Sequence, residues 1–149
     1  MKKILLSIIL TLCIFPLITL AQGEFKPLPP CTVVLEPIEG ISKNAKGVAL
    51  IYNIEREFKD NRTSLSIQAL HMPKPSKFGE YDGYEVLAYI PKEISWAFPL
   101  TQYAKNSWIG NWDEISPTMR PTQIIVRPIN SKTNKFGNAV LENNVYCPK

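Results

Sequence analysis

The stretch SWIGNWDEI, residues 107–115, places two tryptophans and two adjacent carboxylates within nine positions. Indoles offer broad apolar faces, to a sugar ring or to a protein core. Carboxylates offer acid–base or nucleophilic chemistry. If the segment is extended, Trp108, Gly110, Trp112 and Glu114 share one face, and Ile109, Asn111, Asp113 and Ile115 share the other. At roughly 3.3 Å per residue the two indoles then stand about 13 Å apart, with Gly110 leaving a flat gap between them. That spacing suits a platform under neighbouring sugar rings, and it equally suits two large side chains filling a β core. The acidic pair is less promising. Asp113 and Glu114 face opposite sides, whereas a glycosidase needs two carboxyl groups about 5–10 Å apart across one bond. Glu114 would need Glu85, Glu93 or Glu142 from elsewhere, and no spacing selects among them. Both acids are expected to be solvated surface residues.

A second aromatic group lies in PKPSKFGEYDGYE, residues 73–85, where Phe78, Tyr81 and Tyr84 mark a loop and the entry to a strand. Loops held on a rigid scaffold commonly carry binding residues. Phe78, Tyr81, Tyr84, Trp108 and Trp112 are therefore the candidate ligand-binding residues. Glu80, Asp82 and Glu85 supply oxygen ligands, but the DxDxDG calcium spacing is missing, and Asp82-Gly83 reads as a hairpin turn. The one histidine, His71, closes a strand before Pro73. A single histidine excludes multi-histidine zinc sites and narrows imidazole catalysis. No GxSxG elbow is present. No catalytic residue, metal ligand or cofactor is expected.

The start of the chain is an address. Lys2 and Lys3 precede an uncharged apolar run from Ile4 to Leu20, which ends at Ala21. Residues 1–21 are predicted to be a secretory signal peptide. Pro16 interrupts the run, and a membrane span wants about 20 apolar residues. Leu12 before Cys13 does not fit a lipoprotein signal. Without residues 1–21 the formal charge falls from +4 to +2, because two of the 17 basic residues leave, giving 15 against 13 acids. Those bases are scattered, so no nucleic-acid footprint follows. Cys31 and Cys147 remain, one near each end. In an oxidising compartment they are expected to form one disulfide. Asn61-Arg62-Thr63 fits a glycosylation acceptor, which matters only on a eukaryotic secretory route.

The elements that must position these groups read as strands. Residues 22–30 form a proline-rich extended leader, and residues 31–149 a single domain. CTVVLEPI, KGVALIYNI, TSLSIQA, YEVLAYI, EISWAFPL, TQIIVRPI and AVLENNVYC show period-two or continuous apolar patterning. In EISWAFPL, Ile94, Trp96, Phe98 and Leu100 share a face, so Trp96 is expected in the core. Turn-rich segments separate the runs, and no window carries a clean helical repeat. About seven short strands predict an all-β antiparallel sandwich, immunoglobulin-like in the loose sense, ahead of a small barrel. The function expected is a secreted or extracytoplasmic, non-catalytic binding module. Its partner would be a protein or a polysaccharide, with no stable membrane insertion. A carbohydrate-binding module using surface Trp and Tyr is the alternative, and a carboxylate hydrolase the last choice.

Overall fold

A computed structural model describes residues 29–54 and 62–147. The signal-peptide expectation for 1–21 and nearly all of the 22–30 leader lie outside the described residues, as does Asn61 of the acceptor motif. The strands are β1 (Cys31–Pro37), β2 (Lys46–Ile54), β3 (Arg62–Leu70), β4 (Gly83–Ile90) and β5 (Ile94–Ala104). They continue with β6 (Ser107–Trp112), β7 (Gln123–Asn130), β8 (Lys135–Phe136) and β9 (Leu141–Asn144). Among the described residues one 3-10 turn, Pro75–Phe78, precedes β4. Among the described residues no helix is long and apolar enough to cross a membrane.

The fold is not the expected sandwich. It is a closed eight-stranded antiparallel β-barrel with one extra strand. The order runs β4-β5-β6-β3-β2-β1-β9-β7, and β4 pairs with β7 to complete the circuit. β8 is the addition, hydrogen-bonded to the end of β7. Closure depends on strands that serve two neighbours along their length. The first part of β5 pairs with β4, from Ile94 to Leu100. Its last part, from Thr101 onward, pairs with β6, where the register shifts at Gln102/Ala104. A bulge of this kind bends a strand and raises its twist, which lets one sheet curl onto itself. β1 behaves similarly, with Cys31–Leu35 against β2 and only Glu36–Pro37 against β9. Alternation along a strand reports one buried face, and that face looks the same in a sandwich and a barrel.

The inward faces fill the barrel. Leu35, Ile51, Leu65, Ile67, Val86, Phe98, Leu100, Ile124, Val126 and Leu141 are buried, and Trp96 and Tyr84 are the largest side chains fully enclosed. In β2 the expected alternation is present, but the buried set is Gly47, Ala49 and Ile51, while Val48 and Leu50 face solvent. At Gly47 the absence of a side chain makes room for Leu35 and Leu141, which a Cβ there would meet at 3.0–3.2 Å.

The two ends of the barrel differ. At one end Cys31 and Cys147 are disulfide-bonded, with Cα atoms 5.7 Å apart and 116 residues between them in sequence. The bond lies five residues along each chain from Glu36–Glu142, the last paired position of the β1–β9 ladder on this side. Asn143 helps on the way there, its Nδ2 donating to the Val34 carbonyl at 2.8 Å. At the same end the 113–120 connection is fastened to β3. The Thr63 hydroxyl lies 2.5 Å from the Met119 carbonyl and 3.1 Å from that of Pro117, and it accepts from the Met119 N–H at 3.1 Å. Ser116 Oγ donates to the Thr63 carbonyl, and Ser64 Oγ to that of Trp112. We call this the clasped end. At the opposite end lie the 3-10 turn, the β5–β6 turn and β8, and here the surface is indented.

Candidate functional site

The indented end holds an aromatic cleft that grows out of one cross-strand pair. Glu85 of β4 lies directly opposite Arg127 of β7. Both side chains point outward, and the carboxylate is largely covered. Arg127 donates to Glu85 Oε1 from Nε at 3.1 Å and from NH2 at 2.8 Å. This charge-assisted fork fixes the guanidinium plane. Phe136 of the short β8 then lies over that plane, with its ring centre 4.0 Å from the guanidinium carbon. Such a cation–π contact holds a ring in place at the surface. Phe136 remains 44% exposed.

Gly137 brings the next ring close. A Cβ there would sit 2.6 Å from Pro128 Cγ and 3.2 Å from the Tyr81 ring, so only glycine permits this approach. Tyr81 is anchored from its neighbour. Asp82 accepts from Ser131 twice, from N–H at 2.8 Å and from Oγ at 2.6 Å. Those bonds, the Oγ one foremost, hold the Asp82 carboxyl below its ordinary pKa. Asp82-Gly83 is therefore a tether between two loops and the entry to β4, not the expected hairpin turn. The resulting cleft, of about 360 Å³, is lined by Ile38, Ile41, Phe78, Tyr81, Phe136 and Gly137, among others. Its size is within the range of small-ligand sites.

The structure thus brings together Phe78 and Tyr81 from the sequence candidates and adds Phe136. Phe136 lay in NSKTNKFGN, which reads as turn text, and a two-residue strand leaves no periodic signal. The other three candidates are elsewhere. Tyr84 is fully buried, its hydroxyl donating to the Pro73 carbonyl at 2.9 Å, and burial pushes its phenol pKa up. Trp108 is 6% exposed and meets Tyr84 edge to face, with ring centres 5.2 Å apart. Trp112 is half-buried against the core at the clasped end, 6.4 Å from Phe98. Trp108 and Trp112 do share a face, but it is the inner one. The gap expected at Gly110 is occupied, because a Cβ there would lie 2.8 Å from Leu100 Cδ2 and from the Pro99 carbonyl. The two indoles form no exposed platform, and the physical reason is that β6 turns this face into the barrel.

The chain matches, over residues 27–149, the family described as "SPbeta prophage-derived uncharacterized protein YoqH". It belongs to that family. A YoqH relative in Bacillus subtilis (strain 168), carrying the same description, is 44% identical over 128 residues, spanning 83% of this chain and 85% of that one. No solved structure matches the chain.

The remaining titratable groups of this YoqH-family chain are dispersed. Asp113 pairs with Arg62 at 2.8 Å at the clasped end. Glu114 is exposed on the connection beyond it. Glu85 belongs to the Arg127 fork, so neither acid faces the other. Glu36 and Glu142 stand opposite each other where β1 meets β9, and Lys46 engages Glu36. Register of this kind is not legible in a single strand's sequence. Among the described residues no group of three or more His, Cys, Asp or Glu gathers to hold a metal ion.

Proposed function

We propose that this protein is a secreted, non-catalytic binding module that contacts its partner through the Phe78–Tyr81–Phe136 cleft. The observation that carries the reading is the fixed, exposed Phe136 ring on its Arg127–Glu85 support, beside Tyr81. Surface aromatics usually cost solvation, and a protein that mounts one on a part-buried ion pair places it for contact. The barrel supplies the rigidity, and the loops supply the contact. The partner is a protein or an envelope polymer. Export rests on the N-terminal signal pattern and on the Cys31–Cys147 disulfide, which suits an oxidising compartment.

A carbohydrate ligand is the second reading. It draws on the same two surface rings, since Trp108 and Trp112 face inward. Tyr81 and Phe136 offer flat faces next to the polar Asn138.

The test uses the full-length mature protein on a glycan array and on isolated cell-wall fragments of Bacillus subtilis. Binding to a probe should fall at least tenfold in Phe136→Ala with Tyr81→Ala, while circular dichroism stays unchanged. Binding to glycans selects the second reading within the first. Chemical turnover of a probe, or binding that the double variant leaves intact, would overturn the proposal.

A further inference from the structure

On the other side of the 3-10 turn lies a second cleft, of about 460 Å³, with a different chemistry. Its lining includes Ser42, His71, Lys74, Ser76, Lys77 and Asn106. These bring two ammonium groups, an imidazole, two hydroxyls and an amide. No carboxylate contributes to the lining. Among the described residues neither Lys74 nor Lys77 has an ion-pair partner.

Hydrogen bonds tie the backbone that carries these groups to its neighbours. His71 sits in the left-handed region, with φ of 54°, which non-glycine residues adopt infrequently, histidine more readily than most. The two residues after it are hydrogen-bonded to different elements. The Met72 N–H donates to the Asn106 carbonyl at 2.9 Å, and Met72 itself is buried. Pro73 offers its carbonyl to the enclosed Tyr84 hydroxyl. Lys77 N–H closes the turn on the Lys74 carbonyl at 3.0 Å, which brings the two lysines onto one short arc. Ser42 Oγ accepts from the Asn44 N–H at 3.3 Å and keeps its hydroxyl proton as a donor.

We infer that this cleft is an oxyanion site, binding a phosphate-type group by Lys74, Lys77 and His71 with hydroxyl donors from Ser42 and Ser76. Its lining gathers two lysines, a histidine and two serines, and it holds no carboxylate that would repel an anion. A group with two charges gains from both lysines at once, which a single carboxylate does not. The cleft is separate from the aromatic one, and its occupancy does not depend on the partner proposed there.

The experiment exploits a feature of composition, the single histidine of the chain. The His71 ring protons give one resolvable imidazole signal, which is followed while inorganic phosphate is titrated at fixed pH and ionic strength. A saturable shift is expected, with a dissociation constant on the order of millimolar for an exposed site. Lys74→Ala with Lys77→Ala should weaken it at least tenfold, and Lys135→Ala, outside the cleft lining, should not. A parallel arm measures sedimentation with phosphatidylglycerol vesicles in a phosphatidylcholine background. Vesicle binding lost in the double lysine variant assigns the oxyanion to a lipid headgroup, and phosphate binding alone assigns it to a soluble ligand. If the histidine shift is linear and identical in the double variant, and vesicles do not bind, the inference fails.

Discussion

The two ends of this barrel are built for opposite purposes. At the clasped end, covalent and polar ties accumulate where the hydrogen-bonded ladder is weakest. β1 and β9 share only the Glu36–Pro37 register, and the disulfide and the Asn143 amide hold what those strands do not, while the Thr63 cluster ties the 113–120 connection to β3. At the indented end the ties are spent on fixing exposed groups in place. Arg127 is fastened so that Phe136 is presented, and Met72 and Pro73 are fastened so that His71 and Lys74 are presented. The difference teaches that polar networks near a barrel mouth serve either closure or display. Which of the two applies is read from whether the held group ends up buried.

That comparison predicts a graded response to substitution. The largest effect belongs to Trp96, which fills the interior. Trp96→Ala should cost about 3–5 kcal/mol, much of the stability of an ordinary domain, in a urea melt. A loss under about 1 kcal/mol would mean that the barrel interior is not the close-packed core described. Next comes the clasp. Cys31→Ser with Cys147→Ser should cost about 2–5 kcal/mol, because the closed loop spans nearly the whole domain. Hydrogen exchange in that variant should rise first in β1 and β9 and leave the β4–β5 hairpin protected. Uniform loosening would mean that the seam is not the weak point.

Thr63→Val is the third. It keeps the shape and removes the hydroxyl that satisfies Met119 and Pro117, so about 1–3 kcal/mol should be lost. The smallest effect lies at the indented end. The Ser131 bonds favour ionised Asp82, so its folded pKa is below its unfolded one. The tether is therefore fully present above the ordinary carboxylate range and is lost as the pH falls through the lowered folded value. The protection of the Ser131 amide, taken relative to its intrinsic exchange rate, should fall only once the pH drops below the ordinary carboxylate range, with the melting temperature scarcely changed, and Asp82→Asn should remove that pH response.

Much of the fold was legible in the sequence. All seven apolar runs became strands, and SWIGNWDEI supplied an eighth because its Trp-x-Gly-x-Trp face could pair inward. The inward placement of Trp96 followed from its alternation with Ile94, Phe98 and Leu100. The cysteine pair followed from position alone. Closure was not legible, because it depends on where β5 changes partner and on the β4–β7 register, and neither leaves a mark in one strand's alternation. The cleft was half legible. Phe78 and Tyr81 stand in aromatic loop text, but Phe136 acquires its meaning only from Arg127, which lies nine positions away across a turn. Tyr84 misled because it begins a strand, and the first inward residue of a barrel strand is enclosed rather than displayed.

The two-ended architecture predicts that stability is concentrated in the clasped interior, while the displayed groups of the indented end have lower local stability. Native-state hydrogen exchange under mild denaturant tests it most directly. Amides of Thr63–Leu65, Trp96–Phe98 and Ile124–Val126 should exchange only through global unfolding. Those of Gly79–Asp82 and Lys132–Gly137 should open locally, at a free energy several kcal/mol lower. If both sets exchange with the same free energy and the same denaturant dependence, the two ends are one cooperative unit, and the division of labour described here is wrong.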